Sequence, residues 1–167
     1  VSKVWIVFER DRGFSAWLIR AVMGFEYNHC AILYESDDWE SLWVAEATTR
    51  GVRAVPQKKR IWRQRFRVED PKIWEAMRAE AIHFGEKYDY VGLVVFGLLI
   101  LFWKMCKKKL RHPLRSFSGL FCSEYLAMVL KQLGCAVEDP QYADVRAIWN
   151  LCVQNPTQFV EEPITIT

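Results

Sequence analysis

Apolar and polar positions along the chain follow two periods, and the change from one to the other divides it. Val4 to Phe8 is a short unbroken run of β-branched and aromatic residues, which predicts a buried strand. Ser15 then precedes the apolar stretch Ala16 to Met23, which stops at Gly24, the pattern of a short helix with a hydroxyl cap and a terminal glycine. His29 to Tyr34 predicts a second strand. The polar turn Glu35-Ser36-Asp37-Asp38 follows, and a third strand from about Leu42 to Ala47 completes a hairpin.

Gly51 to Val55 and Trp62 to Val68 supply two more strands. In the second, Trp62, Gln64, Phe66 and Val68 alternate with Arg63, Arg65 and Arg67, as a sheet with one wet face requires. Asp70-Pro71 is a helix start, a cap followed by a proline at the first helical position. Ile73, Trp74, Met77, Ala81 and Phe84 form the buried stripe of a helix ending at Gly85. A further helix is predicted from Cys122 to Leu133, closed by Gly134, and a last one around Asp144 to Val153, with Pro156 preventing much continuation.

Strands gathered early with helices flanking them imply an α+β fold, an antiparallel sheet packed against helices, and not a doubly wound parallel sheet. Residues 1–167 are expected to form a single domain with one hydrophobic core. No Rossmann or P-loop glycine pattern is present, which disfavours a nucleotide enzyme.

Composition narrows the function classes. Eight tryptophans with modest glycine and proline describe a packed globular chain, without repeats or low-complexity tracts. The formal charge of +3 is small, but the positive residues gather in two runs. The first holds Lys58, Lys59, Arg60, Arg63, Arg65 and Arg67, the second Lys104, Lys107, Lys108, Lys109 and Arg111. Neither carries a nucleic-acid-binding signature, so no nucleic-acid partner is expected; both runs read as solvated faces, and a basic surface facing an anionic polymer or membrane is the other reading open to them. Five cysteines, Cys30, Cys106, Cys122, Cys135 and Cys152, are odd in number and lack CxxC spacing. That argues against a disulfide framework or a zinc ribbon and for a reducing compartment. The opening VSKVWIVFERDRGF meets charge almost at once, so no signal peptide is expected.

Ser118-Gly119-Leu120-Phe121-Cys122-Ser123-Glu124 puts a cysteine where a glycine-containing loop turns into an amphipathic helix. Free N–H groups and the positive end of the helix dipole favour a thiolate there and offer a donor to an oxyanion. A small buried hydrophobe is the other role such a cysteine fills. A nucleophilic cysteine needs a base, and the chain has His29, His83 and His112. His83 falls inside a predicted helix beside Phe84, and His112 in a basic loop beside Pro113. His29 opens a strand, where a sheet would hold its ring in place, though a lone strand histidine also serves as a core residue. The third member is Glu46 in Trp43-Val44-Ala45-Glu46-Ala47, an acid embedded in an apolar strand paired with that of His29. Strand parity puts it on the face of Val44 and Leu42, so its carboxylate enters the interior or a cleft edge. A buried carboxylate needs a partner, and the imidazole next door can be oriented by it.

The order His29, Glu46, then a distant Phe121-Cys122-Ser123-Glu124 resembles the circularly permuted NlpC-type papain-like proteins of bacteria and bacteriophages. In ordinary papain-like enzymes the cysteine helix precedes the histidine strand; in the permuted set it follows. Trp17-Leu18-Ile19-Arg20 leading to Tyr27-Asn28-His29, Glu46-Ala47 with Gly51-Val52-Arg53, and Tyr88-Asp89-Tyr90 add to the likeness, which spans about Val4 to Pro140. The resemblance implies a cysteine hydrolase with a Cys122, His29 and Glu46 triad that cleaves an amide bond, often in peptidoglycan stem peptides. It also places Tyr88 or Tyr90 near the nucleophile as an oxyanion or substrate ligand, although both suit ordinary packing. Neither metal nor organic cofactor is required. A lipid ester or thioester hydrolase, an acyltransferase, and a non-catalytic binding or virion component are the other outcomes the fold allows. A cytoplasmic or virion-associated location goes with these readings.

Tyr90 to Trp103 departs from that pattern in being uncharged and mostly large and apolar. It is shorter than the ~20 residues of a spanning helix, which favours core or cleft wall. The basic cluster Lys104 to Arg111 follows directly, a pattern that also suits an interfacial segment over 90–111 on anionic lipid.

Overall fold

The computed structural model describes residues 3–36, 41–48, 50–57, 61–87, 121–137 and 139–164, together with Leu98 and Phe102. Six strands form one antiparallel sheet: β1 (Val4–Glu9), β2 (His29–Glu35), β3 (Leu42–Thr48), β4 (Gly51–Pro56), β5 (Gln64–Val68) and β6 (Phe159–Glu162). Their order across the sheet is β4-β3-β2-β1-β5-β6. Four α-helices are described with it: α1 (Phe14–Met23), α2 (Ile73–Glu80), α3 (Cys122–Gln132) and α4 (Val145–Gln154). The protein is therefore α+β. The stretch 90–103 and both tyrosines, Tyr88 and Tyr90, lie outside the described residues, apart from Leu98 and Phe102.

β1 lies near the middle of the sheet and is buried on both faces, which is why its sequence is a continuous apolar run instead of an alternation. Val4, Ile6 and Phe8 join Ile32, Ala45, Val52 and Phe66 on one face, beneath Ile73 and Met77 of α2, Leu126 and Leu130 of α3, and Ile148 of α4. Trp5 and Val7 join Ala31, Leu33, Val44 and Trp62 on the other. Each buried Val, Leu, Ile, Phe or Met among them contributes roughly 1.5–3 kcal/mol by leaving water.

Several predicted boundaries move, each for a local reason. Helix α1 opens at Phe14 with Gly13 as its N-cap, because the carbonyl of Gly13 already accepts from the Trp17 N–H at 2.9 Å; Ser15 is inside the helix. Trp62 lies outside β5 and belongs to the cluster with Trp5, on the face opposite Phe66 and Val68. The arginine face of β5 is not simply solvated. Arg65 and Arg67 reach Glu162 of β6 at 3.6 and 3.4 Å, and the Arg65 guanidinium lies over the Trp5 ring.

Asp70-Pro71 makes a turn before α2, not its cap: the Asp70 carboxylate accepts from the Lys72 N–H at 2.9 Å, and the first helical residue is Ile73. After Glu80 the chain tightens into a 3-10 turn, Ala81–His83. The change of pitch rotates the stripe off the core, so Ala81 is half-buried and Phe84 is exposed. Helix α4 starts where Asp144 accepts from the Ala147 N–H at 2.7 Å, a side-chain cap.

The outer edge of β4 is occupied. The Val52 N–H donates to the Glu86 carbonyl at 3.0 Å, and the Gly85 N–H donates to the Val52 carbonyl at 2.8 Å. Gly51 makes this approach possible: its φ is 91°, and a Cβ there would run into the backbone oxygen of Glu86.

Candidate active site

β2 begins at His29, and the residue before it is tied down on three sides. The Asn28 N–H donates to the Glu9 carbonyl at 3.2 Å, continuing the β1–β2 ladder in which His29 stands opposite Glu9. Its Oδ1 accepts from the Asp11 N–H at 2.9 Å and from Arg20 Nη1 of α1 at 2.8 Å, and its Nδ2 donates to Asp11 Oδ2 at 3.2 Å. The imidazole thus projects from a backbone fixed by the sheet and by Asn28.

Glu46 comes from the middle of β3 and is completely buried. Parity sends Ala45 and Ala47 to the helix side and Glu46 with Val44 to the other. Continued by one pair, the register Ile32↔Ala45 puts Glu46 diagonally across from His29 on the same face. Glu46 Oε2 lies 3.1 Å from His29 Nε2. Its other oxygen, Oε1, accepts from Arg53 Nη2 at 3.0 Å, Arg53 being the residue directly opposite in β4. An ionised carboxylate can only accept, so Nε2 carries the hydrogen on this side and Nδ1 is the nitrogen left for another partner.

That partner is Cys122. It is the first residue of α3, buried to 6% exposure, with Phe121 as the N-cap. Glu124 returns to the cap, its Oε2 accepting from the Phe121 N–H at 3.4 Å, which leaves the Cys122 N–H among the first-turn donors that no helical carbonyl reaches. The Cys122 sulfur lies close enough to the His29 ring and to Cys30 for both to act on its charge.

The charges follow from those contacts. Hydrogen bonding from Cys30 favours the Cys122 thiolate, burial opposes it, and the adjacent His29 adds to the favourable side, so the thiol is held well below its ordinary range. For His29, burial works against the charged ring, but the negative charges of Cys122 and Glu46 outweigh it and push the imidazole up to about 10. Cys30 goes the other way: burial and the neighbouring Cys122 keep it protonated. These directions favour a thiolate–imidazolium pair with a protonated thiol beside it.

Cys122, His29 and Glu46, predicted as a set, are brought together. His83 is taken up elsewhere, between Glu86 Oε1 at 2.8 Å and Glu80 Oε2 at 3.3 Å, and His112 lies outside the described residues. Arg53, Asn28 and Cys30 are additions for which sequence reasoning had assigned no role. For Arg53 a signal existed: only two residues separate Thr48 from Gly51, and a two-residue hairpin loop fixes Glu46 opposite Arg53. Among the described residues the cysteines are free thiols, and no group of histidine, cysteine and acidic side chains is arranged to hold a metal ion. No helix among those residues is long and apolar enough to cross a membrane. No family model, curated protein or solved structure matches the chain, so the site has to be read from its own chemistry.

Proposed function

We propose that the chain is a cysteine hydrolase of permuted papain-like architecture that cleaves an amide bond through a thiol acyl-enzyme. The observation that carries this reading is the His29 ring, held by Glu46 on one nitrogen and close enough to the buried Cys122 sulfur for each to act on the other's charge. A structural cysteine has no need of a base, and a core histidine has no need of a thiolate.

In this mechanism the Cys122 thiolate attacks the substrate carbonyl, and the oxyanion is met by the Cys122 N–H at the start of α3. His29, already protonated, gives its proton to the leaving amine, which departs as the acyl-enzyme forms. The now neutral His29 takes a proton from water, the resulting hydroxide equivalent attacks the thioester, and the thiolate leaves. Glu46 holds the ring and stabilises its charged form throughout. The strand-before-helix order of His29 and Cys122 supports the permuted arrangement, and with it the stem peptides of peptidoglycan as substrate, in a cytoplasmic or virion-associated protein.

The test is incubation of wild type and Cys122→Ser with peptidoglycan fragments, and in parallel with lipid esters and acyl thioesters, followed by mass spectrometry. Release of stem-peptide fragments by wild type alone, with an acyl adduct on Cys122 in short reactions, is the expected result. Turnover of the ester or thioester set alone would move the substrate to a lipid-borne acyl group, for which the uncharged run 90–103 beside a basic cluster is the supporting feature. No turnover together with ordinary thiol reactivity would leave a binding component.

A further inference from the structure

We infer that Arg53 is a positioning residue of this site that acts through Glu46, keeping its carboxylate ionised while His29 alternates between its charged and neutral forms. The inference rests on the hydrolase reading for its purpose, and on the contact geometry for its substance.

Glu46 is fully buried, and its two oxygens are divided between two partners: Oε2 faces His29 Nε2 at 3.1 Å and Oε1 faces Arg53 Nη2 at 3.0 Å. With His29 protonated, either cation would suffice to balance the carboxylate. The catalytic cycle removes one of them, because His29 gives its proton to the leaving group and must then act as a base. At that stage a buried carboxylate facing a neutral imidazole is an uncompensated charge, which is strongly unfavourable, and the imidazole would lose its orienting anion to protonation. An arginine keeps its charge at any working pH and cannot supply that proton. Arg53 is therefore the constant cation of the pair and His29 the variable one.

The same arrangement limits the basicity of His29. An imidazolium stabilised by the whole Glu46 charge would be a poor acid toward the leaving group, and a second cation on the far oxygen draws part of that charge away. Besides Glu46, Cys122 from α3 acts on the ring, Cys30 follows it in β2, and Glu9 of β1 stands opposite it in the strand register. Of the two partners His29 and Arg53, Arg53 is the one whose charge does not change in the cycle.

The experiment follows the His29 ring by NMR against pH in the Cys122→Ser background, where the thiolate is removed and no substrate is needed. Arg53→Gln is expected to raise the midpoint of the His29–Glu46 pair by about one pH unit, roughly tenfold in proton affinity. Arg53→Lys, which keeps the charge, is expected to leave it near the parent value. A midpoint that stays put or falls in Arg53→Gln overturns the inference, since an arginine that merely braced the strands would on removal let Glu46 swing into water and release its hold on the ring. Should Arg53→Gln fail to fold, recovery of folding by adding Glu46→Gln supports the inference, and failure to recover overturns it. Failure of the hydrolase reading itself shows separately, as ordinary reactivity of Cys122 in a chain that carries Arg53.

Discussion

Cys30 favours the thiolate of the neighbouring Cys122, so the residue after the proposed base in β2 also acts on the nucleophile. Two neighbouring thiols share one environment and are pushed in opposite directions, because the first meets burial and the negative neighbours Cys122, Cys152 and Asp144 while the second has Cys30 and His29 on its favourable side. Iodoacetamide should therefore label Cys122 before Cys30, Cys135 or Cys152, all of which burial pushes up. Labelling of Cys122 should persist well below pH ~8.5, the range of a free cysteine. Cys30→Ala removes one donor and should move the pH midpoint of labelling upward without abolishing it. Peptide mapping by mass spectrometry reads both outcomes; preferential labelling of Cys135 would contradict this account.

Stability should carry the signature of the thiolate–imidazolium pair. Unfolded, His29 and Cys122 titrate at their ordinary values of 6.5 and 9.0; folded, His29 rises to about 10 and Cys122 falls. Taken singly, the raised histidine stabilises fully below 6.5 and loses that stabilisation as pH rises through about 10. The lowered cysteine stabilises above 9.0 and loses it as pH falls through its folded value. Together the folded pair holds one proton through this range. The unfolded chain holds two at low pH, one between 6.5 and 9.0, and none above. The pair's contribution therefore climbs toward 6.5, stays flat to 9.0 and declines toward about 10. Urea unfolding of wild type and Cys122→Ala across pH should give a stability difference with that plateau, and a difference independent of pH would speak against the ion pair.

Much of the site was legible because each member obeys a local rule: Cys122 follows a glycine loop at a helix start, His29 opens a strand, and Glu46 is a charge in an apolar strand. The fold class was legible for the same reason, since hairpin and helix periods are local. β6 was not. Phe159–Glu162 is short, lacks alternation, and is a strand only because β5 meets it, with Arg65 opposite Glu162 and Arg67 opposite Val160. Those are contacts across most of the chain, and no local pattern records them.

β6 itself supplies a prediction. Glu162 accepts from Trp5 Nε1 at 2.7 Å and lies near both Arg65 and Arg67. Glu162→Ala removes the acceptor of a buried indole N–H and leaves two arginines side by side. It should cost about 1–3 kcal/mol in chemical denaturation. Glu162→Gln, which keeps an acceptor, should cost less. Equal losses would mean that the charge and not the hydrogen bond matters.

Gly51 and Gly134 both have positive φ, 91° and 77°, yet they should respond differently to alanine. At Gly134 nothing lies within 4 Å of a Cβ, so only the backbone strain remains, about 1–2 kcal/mol. At Gly51 the added carbon meets the Glu86 carbonyl, and the segment along β4 must shift or detach. Gly51→Ala should lower the melting temperature more than Gly134→Ala and expose the amides of Val52 and Gly85 to hydrogen exchange. Equal melting temperatures would rule out the close approach.

Glu46→Gln is the substitution whose outcome depends most closely on the geometry. The amide has the right volume, but it has one acceptor where the carboxylate had two. Arg53 can only donate, so the amide oxygen turns toward Arg53 Nη2 and the NH₂ group turns toward His29 Nε2. Nε2 must then accept, which the doubly protonated imidazolium cannot do, so the ring is held neutral with its hydrogen on Nδ1 facing the sulfur, and the thiolate–imidazolium pair is lost. The base is disabled by its tautomer while every hydrogen bond remains satisfied. Hydrolysis should drop on the order of 10²–10⁴-fold, and Cys122 labelling should shift toward the pH of an ordinary thiol. Glu46→Ala leaves the ring unoriented instead of wrongly oriented, so it should retain more activity while losing more stability. A Glu46→Gln protein that is as active as wild type, with its fold checked by circular dichroism, would remove Glu46 from the mechanism.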